Sequence, residues 1–547
     1  MAVLEVPEEL NLAAAHEAIA ARIGDRECIV WRDRRLTWAD VTDRSRRLAA
    51  VLSGRGLGSH GPLAEAGPAA SPQDHVALYL HNGNEYLESM LGAAKARCAS
   101  VNVNYRYVAE ELRHVLADSR ARAIVFHSTF APTLAAVLPD LEHLDVLLQV
   151  DDGSGVPLLP GAVEYEAALA GAVPQAPVGL SPDDLYILYT GGTTGLPKGV
   201  LWRQADFIAA CLGVAQSTAE LVERAAGSGL RVLAAPPFMH GAAHWNALSA
   251  WLAGGTVVIQ GDPVRLDPAD VLDTAERESV SSLLIVGDAF ARPLVDELRR
   301  APRQLPTLRF LLTGGAVLSS SVKEELLALL PQLSIVDVLG SSETGRQGVH
   351  RSDARRGAAS GRFDRSPTAQ VLAADLTRVL APGEDELGWL AQSGRVPLAY
   401  LGDVDKTART FPTVDGVRYA VAGDRARVLA DGSIDLHGRD SVTINTGGEK
   451  VFAEEVEQAL KRHPAVYDAV VVGRPSERWG QEVVAVLQLR ADHPDPADGE
   501  LAATAAEHLA RYKVPKAFVR VPAVERSPSG KPDYRWALTQ ATGSLER

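Results

Sequence analysis

The sequence predicts an α/β protein, with a large amino-terminal region of parallel-sheet subdomains, a β-rich subdomain, and a small α/β domain at the carboxyl end. Three observations carry this. Short apolar runs alternate with helical patterns over most of the first three-fifths of the chain, a rhythm that implies parallel sheets covered by helices. Between about Ala358 and Gly438 the texture changes to short strands with turn signals, and α/β character resumes beyond it. Length agrees, since 547 residues exceed one ordinary core and suggest about three or four compact units.

Taken in order, the apolar run Val76 to Leu80 reads as a strand, Glu85 to Lys95 and Glu110 to Leu116 as helices, and Ala123 to Phe126 as the next strand. The same pattern predicts strands over Val232–Ala235, Thr256–Ile259, Leu283–Val286, Arg309–Leu312 and Ile335–Val338. Gly58 to Gln73, rich in Gly, Pro, Ala and Ser, reads as a surface loop. Asp431-Gly432 sets a hairpin between Arg427–Leu429 and Ile434–Leu436. Phe452, Val456 and Leu460 recur at helical spacing on a helix stopped by Pro464, and Ala469 to Val472 follows as a buried strand.

Composition excludes several classes. Apolar residues make up 46% of the chain and charged residues 23%, enough burial to offset the entropy of ordering it. A net charge of -14 without any Lys/Arg block argues against a nucleic-acid partner, and requires that a bound phosphate be met by local cations and backbone N–H groups. The three scattered cysteines, Cys28, Cys98 and Cys211, fit neither a disulfide framework nor a metal site and point to a reducing cytoplasm. The acidic amino terminus is not a secretory signal, and no apolar run reaches the roughly 18 residues of a spanning helix.

The strongest chemical signal is Tyr186 to Val200, where an apolar strand enters a loop of glycines and threonines that ends in a lysine. Gly191, Gly192 and Gly195 let backbone N–H groups turn towards an anion, Thr190, Thr193 and Thr194 add hydroxyls, and Lys198 adds charge. Leu196 and Pro197 separate glycine from lysine, so this is not the P-loop of NTPases; a solvated Gly/Thr loop is the lesser alternative while the segment is taken alone. Further segments follow in order: Pro236 to Trp245, containing His240; Thr313-Gly314-Gly315-Ala316; Leu339-Gly340-Ser341-Ser342-Glu343-Thr-Gly345; Tyr419 to Asp424; Gly438 to Lys450; and Ser527-Pro-Ser-Gly-Lys531, preceded by Tyr512-Lys-Val-Pro515.

From about Ala39 to Tyr534 this set resembles the adenylate-forming superfamily of acyl-CoA synthetases, luciferases and peptide-synthetase adenylation domains. The resemblance implies an acid–thiol ligase that uses ATP, Mg²⁺ and coenzyme A to convert a small carboxylic acid into an acyl-adenylate and then a thioester. It implies a large AMP-binding domain over residues 1–438, its β-rich part at about 358–438, a hinge at 439–441 centred on Ser441, and a mobile small domain over 442–547. Nucleotide contacts fall on Thr190 to Gly195, Lys198, Gly314, Gly315, Ala316 and Leu339 to Ser342, with Asp424 receiving the ribose hydroxyls and Arg439 the ribose or phosphate. Glu343, with Thr193, is the magnesium-linked position. His240 and Trp245 belong to the acyl pocket, His240 as a gate or orienting group. Gly447, Gly448 and Lys450 face the pantetheine arm of coenzyme A. Lys531 bridges the attacking carboxylate and the α-phosphate.

Leu339 stands where many relatives carry Tyr, Ser342 where they carry Thr, and Ser441 where they carry Asp or Lys. Arg203-Gln204, with the other motif variants, is similar to the actinobacterial synthetases of steroid side-chain carboxylates; a medium- or long-chain fatty acid is the alternative. Gly438-Arg-Asp-Ser441-Val also imitates the phosphopantetheine site of a carrier, but runs directly into Asn445-Thr-Gly-Gly-Glu-Lys450. An adenylation module serving a separate carrier, and a non-catalytic acyl and nucleotide sensor, are the rival readings; Lys531, Glu343 and Asp424 are all present, against the second. A homodimer is compatible with the chain.

Overall fold

The structure, a computed structural model, describes residues 8–190, 196–446, 449–476 and 478–543. Among these, three sheets organise the molecule. In an eight-stranded sheet, Ala99–Asn102, His75–Tyr79, Ala123–His127, Val146–Val150 and Val163–Glu164 run parallel. Every residue of His75–Tyr79, Ala123–His127 and Val146–Val150 is buried, because helices cover both faces of a parallel sheet. This is why Val76–Leu80 and Ala123–Phe126 read as apolar runs in the sequence.

The second sheet has fifteen strands. Glu27–Trp31, Thr256–Ile259, Arg231–Ala234, Ser282–Ile285, Phe310–Gly314 and Ser334–Ser341 form its parallel part. It then turns antiparallel through Gly345–Ser352 and Arg362–Arg365 and continues into the β-rich region. There Asp424–Val428 pairs with Ile434–Arg439, as the Asp431-Gly432 turn predicts. The sheets are therefore mixed where simple parallel pairing was expected. The reason is local: Leu185–Thr190 returns directly as Lys198–Arg203, and a short connection between paired strands permits only the antiparallel sense.

The small carboxy-terminal domain has its own five-stranded sheet, in which Val466–Ser476 pairs antiparallel with Gly480–Leu489 and Ala517–Val521 adds in parallel. Its core packs Val456 and Leu460 of the Ala453–Leu460 helix against Ala469, Val471, Ala485 and Leu487. The expected helix begins one residue late: Phe452 is its N-cap, and the Glu455 carboxylate accepts from the Phe452 N–H at 3.2 Å. No helix among the described residues is long and apolar enough to cross a membrane.

Candidate active site

The cleft is built where the parallel strands of the long sheet end and the small domain meets them. Phe310–Gly314 ends in Gly315, whose φ of +81° opens a turn that a side chain would strain. The next strand, Ser334–Ser341, ends at the turn carrying Ser342 and Glu343, and Gly345 begins its antiparallel partner. In that turn the Ser341 N–H donates to Thr344 Oγ1 at 3.0 Å, and the Ser342 carbonyl accepts from Trp202 Nε1 at 3.0 Å. Leu339, with its N-to-C neighbours fixed in the strand, packs in a core cluster with Val371, Leu390, Ala426 and Ile434.

Asp424 and Arg439 enter from the β-rich hairpin. They are register partners on adjacent strands, and Arg439 Nε donates to Asp424 Oδ1 at 3.3 Å. The charge of Asp424, with Glu343 and Glu454 nearby, holds the Arg439 guanidinium firmly protonated. Glu343 Oε1 accepts from Tyr400 Oη at 2.8 Å, and the Lys406 ammonium lies 4.0 Å from the centre of the Tyr400 ring. Burial and the Glu343 carboxylate push the Tyr400 phenol up, so it stays a donor.

Lys531 reaches this group from the other domain. Its loop is closed by Ser527 N–H to Lys531 carbonyl at 2.9 Å and by Lys531 N–H to Ser527 Oγ at 3.2 Å. A Cβ at Gly315 would stand 3.9 Å from Lys531 Cε, which puts the side chain at the turn expected to face adenine. The side chain keeps access to water, yet the surrounding protein and then the Arg439 charge lower its ammonium pKa, while Glu343 and Asp424 oppose the shift.

His240 is the N-cap of the Gly241–Leu252 helix. Its Nε2 is buried and has no hydrogen-bond partner among the described residues. Burial, with Lys531 and His244 adding positive charge, pushes its pKa down to about 3, so the imidazole is neutral at pH 7. An unpartnered ring nitrogen beside a lysine suits a carboxylate or acyl oxygen. Below it Trp245 Nε1 donates to Tyr186 Oη at 2.8 Å, and Phe207 stacks on Tyr186 with ring centres 3.8 Å apart, giving an aromatic floor.

Thr190 and Lys198 are register partners at the mouth of the phosphate-type loop. The Lys198 ammonium is held by Asp118 at 3.0 Å, which also accepts from Tyr189 Oη at 2.8 Å. Gly191, Gly192, Thr193, Thr194 and Gly195 lie outside the described residues, as do Gly447 and Gly448. Lys450 lies in the Glu449–Phe452 strand, with its ammonium 3.3 Å from Asp440 Oδ1; Ser441 sits in a single 3₁₀ turn, Asp440–Val442.

The structure thus brings Lys531, Arg439, Asp424, Glu343, Gly315 and His240 to one cleft. Tyr400 and Lys406 beside Glu343, and Asp118 beside Lys198, were not anticipated. No spacing rule marks them, because their partners are 57 residues away for Tyr400 and 80 for Asp118.

Comparison with known proteins agrees with this geometry. The family model described as AMP-binding enzyme matches residues 16–391, and the model of the AMP-binding enzyme C-terminal domain matches residues 455–531. The chain is 52% identical over 541 residues to the medium-chain acyl-CoA ligase Mig of Mycobacterium avium, covering 97% of this chain and 98% of that one. It is 40% identical over 543 residues to a medium/long-chain-fatty-acid–CoA/3-oxocholest-4-en-26-oate–CoA ligase of Mycobacterium tuberculosis, covering 97% and 96%. Among solved structures, the anthranilate CoA ligase AuaEII in complex with anthranoyl-AMP superposes over 100% of both chains with a TM-score of 0.82 at 20% identity, a likeness of fold. With both of its domain models matched in order and the cleft assembled between them, the chain belongs to the AMP-binding enzyme family, as an AMP-forming acyl-CoA synthetase.

Proposed function

We propose that this cleft activates a medium-chain aliphatic carboxylic acid and that its residues divide the work as follows. The large domain spans residues 1–438, the hinge 439–441 and the small domain 442–547. In the first half-reaction a carboxylate oxygen attacks the α-phosphorus of ATP, and the bond to pyrophosphate breaks. Lys531 and Arg439 face the charge that accumulates on the α-phosphoryl oxygens. Asp424 holds the ribose hydroxyls, Gly314, Gly315 and Ala316 line the adenine, and Thr190, Lys198 and the loop between them hold the departing pyrophosphate. His240, a neutral imidazole, orients the acyl group rather than acting as a base, because a group with a pKa of about 3 is a poor proton acceptor. In the second half-reaction the sulfur of coenzyme A attacks the acyl carbonyl and AMP departs, with Gly447, Gly448 and Lys450 lining the pantetheine path.

The single observation that supports this division is Lys531: a cation from the second domain lies against the Gly315 turn, 3.9 Å from where a Cβ there would stand, and within the fields of Glu343, Asp424 and Arg439, where an α-phosphate needs it. Mg²⁺ fits the donor set. Magnesium takes hard oxygens, often one or two carboxylates together with substrate phosphates. Glu343 offers such a carboxylate, and no group of three or more His, Cys, Asp or Glu among the described residues forms a ready cage. An ion held there supplies charge neutralisation of the phosphates.

The medium-chain reading is supported by the identity of 52% to the Mycobacterium avium ligase. A second reading, a steroid side-chain carboxylate, is favoured by the Arg203-Gln204 variant and by the Mycobacterium tuberculosis relative, whose name includes both substrates. Pyrophosphate release across a panel of straight-chain, steroid and aromatic acids, with and without coenzyme A, tests both. Release that depends on a medium-chain acid, with product thioester only when coenzyme A is present, is the expected result. Highest kcat/KM with a steroid acid selects the second reading, and release indifferent to the acid overturns both.

A further inference from the structure

The helix Gly287–Arg300 carries Asp288, Arg292 and Asp296 at positions i, i+4 and i+8, hence on one face. All three meet the small domain. Asp288 Oδ2 accepts from Lys461 Nζ at 2.7 Å, and the two side chains are only 2% and 4% exposed. The other Asp288 oxygen accepts from the Ser319 N–H at 2.8 Å and from Ser319 Oγ at 3.0 Å. Arg292 places its guanidinium 5.8 Å from the centre of the Tyr467 ring, and Arg490 covers the same ring at 5.5 Å. Asp296 Oδ1 stands 3.9 Å from Arg490 Nη1. The small-domain partners come from three places: Lys461 caps the Ala453–Leu460 helix, Tyr467 lies in the Val466–Ser476 strand, and Arg490 follows the Gly480–Leu489 strand.

This stripe adjoins the catalytic loop. The Gly287 N–H donates to Thr313 Oγ1 at 3.0 Å, tying the start of the helix to the strand that ends at Gly315. A Cβ at Gly530 would approach the Val286 carbonyl to 2.9 Å, so the Lys531 loop rests on the residues immediately before the stripe. A buried ion pair gains little net stability, because desolvation offsets attraction, but it is satisfied in one geometry only. When the small domain turns away, both ions regain water, so the pair selects an orientation without trapping it.

We propose that the Asp288–Lys461 pair, with its rim of Arg292, Tyr467, Asp296 and Arg490, is the lock that holds the small domain in the orientation that inserts Lys531. These are positioning residues for adenylate formation, and they are released for thioester formation. The inference rests on the two-step reading above.

The test measures the two half-reactions separately in Lys461→Met, Asp288→Asn, the double variant and the rim variant Arg490→Gln. Acid-dependent pyrophosphate–ATP exchange reports the first half-reaction, and thioester formation from supplied acyl-AMP reports the second. Each of the two core variants is expected to lose about 30-fold in exchange while keeping thioester formation within about threefold, since removing one partner strands a buried charge. The double variant is expected to lose no more than the worse single variant, because the pair acts as a unit. Arg490→Gln is expected to lose less, in the same direction, with an unchanged melting temperature. Equal loss of both half-reactions, additive losses in the double variant, or unimpaired exchange in all four overturns the lock. A wild-type enzyme that fails either half-reaction instead overturns the two-step reading, and the lock with it.

Discussion

Tyr400 Oη donates to Glu343 Oε1 across 2.8 Å, joining the carboxylate at the end of the long sheet to a strand of the other sheet. The bond takes one of the Glu343 lone pairs and fixes which oxygen faces the cleft. A hydrogen bond to a charged group contributes about 1.5 to 3 kcal/mol. Tyr400→Phe is therefore expected to lower kcat/KM for ATP roughly tenfold and to raise the Mg²⁺ concentration needed for half-maximal rate. Unchanged dependence on both would remove Tyr400 from the site.

Lys531→Ala is expected to slow adenylate formation by a factor of about 100 or more, the loss of about 3 kcal/mol seen when one donor to a developing charge is removed. Thioester formation from supplied acyl-AMP should persist. The pH dependence follows from the direction of its shift. Enclosure by protein and the Arg439 charge lower its pKa, so the free enzyme loses this cation at lower pH than an ordinary lysine does. The alkaline limb of kcat/KM for adenylation, which reports the free enzyme, is expected below the usual value of about 10.4, and Lys531→Arg should remove it. A limb unmoved in Lys531→Arg assigns the ionisation elsewhere.

Much of the candidate site was legible because its proposed charged members sit in contiguous motifs: Lys531 after Ser-Pro-Ser-Gly, Asp424 after Val-Ala-Gly, Glu343 after Ser-Ser. Each motif needs only its own backbone turn to present its side chain. Tyr400 and Asp118 gave no such signal, since a tyrosine on a two-residue strand and an aspartate at a helix end have many ordinary uses. Their roles arise from sheet order, which pairs Ala399–Tyr400 with Lys198–Arg203 across two hundred positions of sequence. The Asp288–Lys461 pair, 173 residues apart, exists only once two domains dock. Strand positions in the parallel sheets were legible from their apolar runs, whereas the antiparallel return at Lys198 was not, because a buried strand reads alike in either direction.

Buried histidines set the acid limit of stability. Burial pushes His127 down to about 4, with His81 adding to the shift, and pushes His244 down to about 4. The unfolded chain binds these protons near pH 6.5, whereas the native protein does not, so the unfolded state holds more protons in the window between and stability falls as pH drops through it. Each such residue costs about 1 to 2 kcal/mol between pH 7 and pH 5. The melting temperature is expected to fall steadily over that range, and His127→Asn to flatten the decline. A melting temperature level from pH 7 to pH 5 would contradict the burial assigned to these rings.

Gly530 offers a test of insertion that leaves the Lys531 charge intact. Its φ of +73° lies in the left-handed region, and a Cβ there would stand 2.9 Å from the Val286 carbonyl and 3.3 Å from the Phe290 ring. Backbone cannot yield as a flexible side chain does, so Gly530→Ala is expected to force the loop away from the Val286 wall and draw the ammonium out of the cleft. A strain of about 1 to 3 kcal/mol converts to roughly tenfold to hundredfold less adenylate formation. The clash with Val286 and Phe290 exists only while the domains are docked in this orientation, whereas the cost of the positive φ is present in both, so adenylate formation should lose clearly more than thioester formation from supplied acyl-AMP, with a modest fall in melting temperature. Parallel loss in both half-reactions would mean that Gly530 serves the fold of the small domain and not the insertion of Lys531.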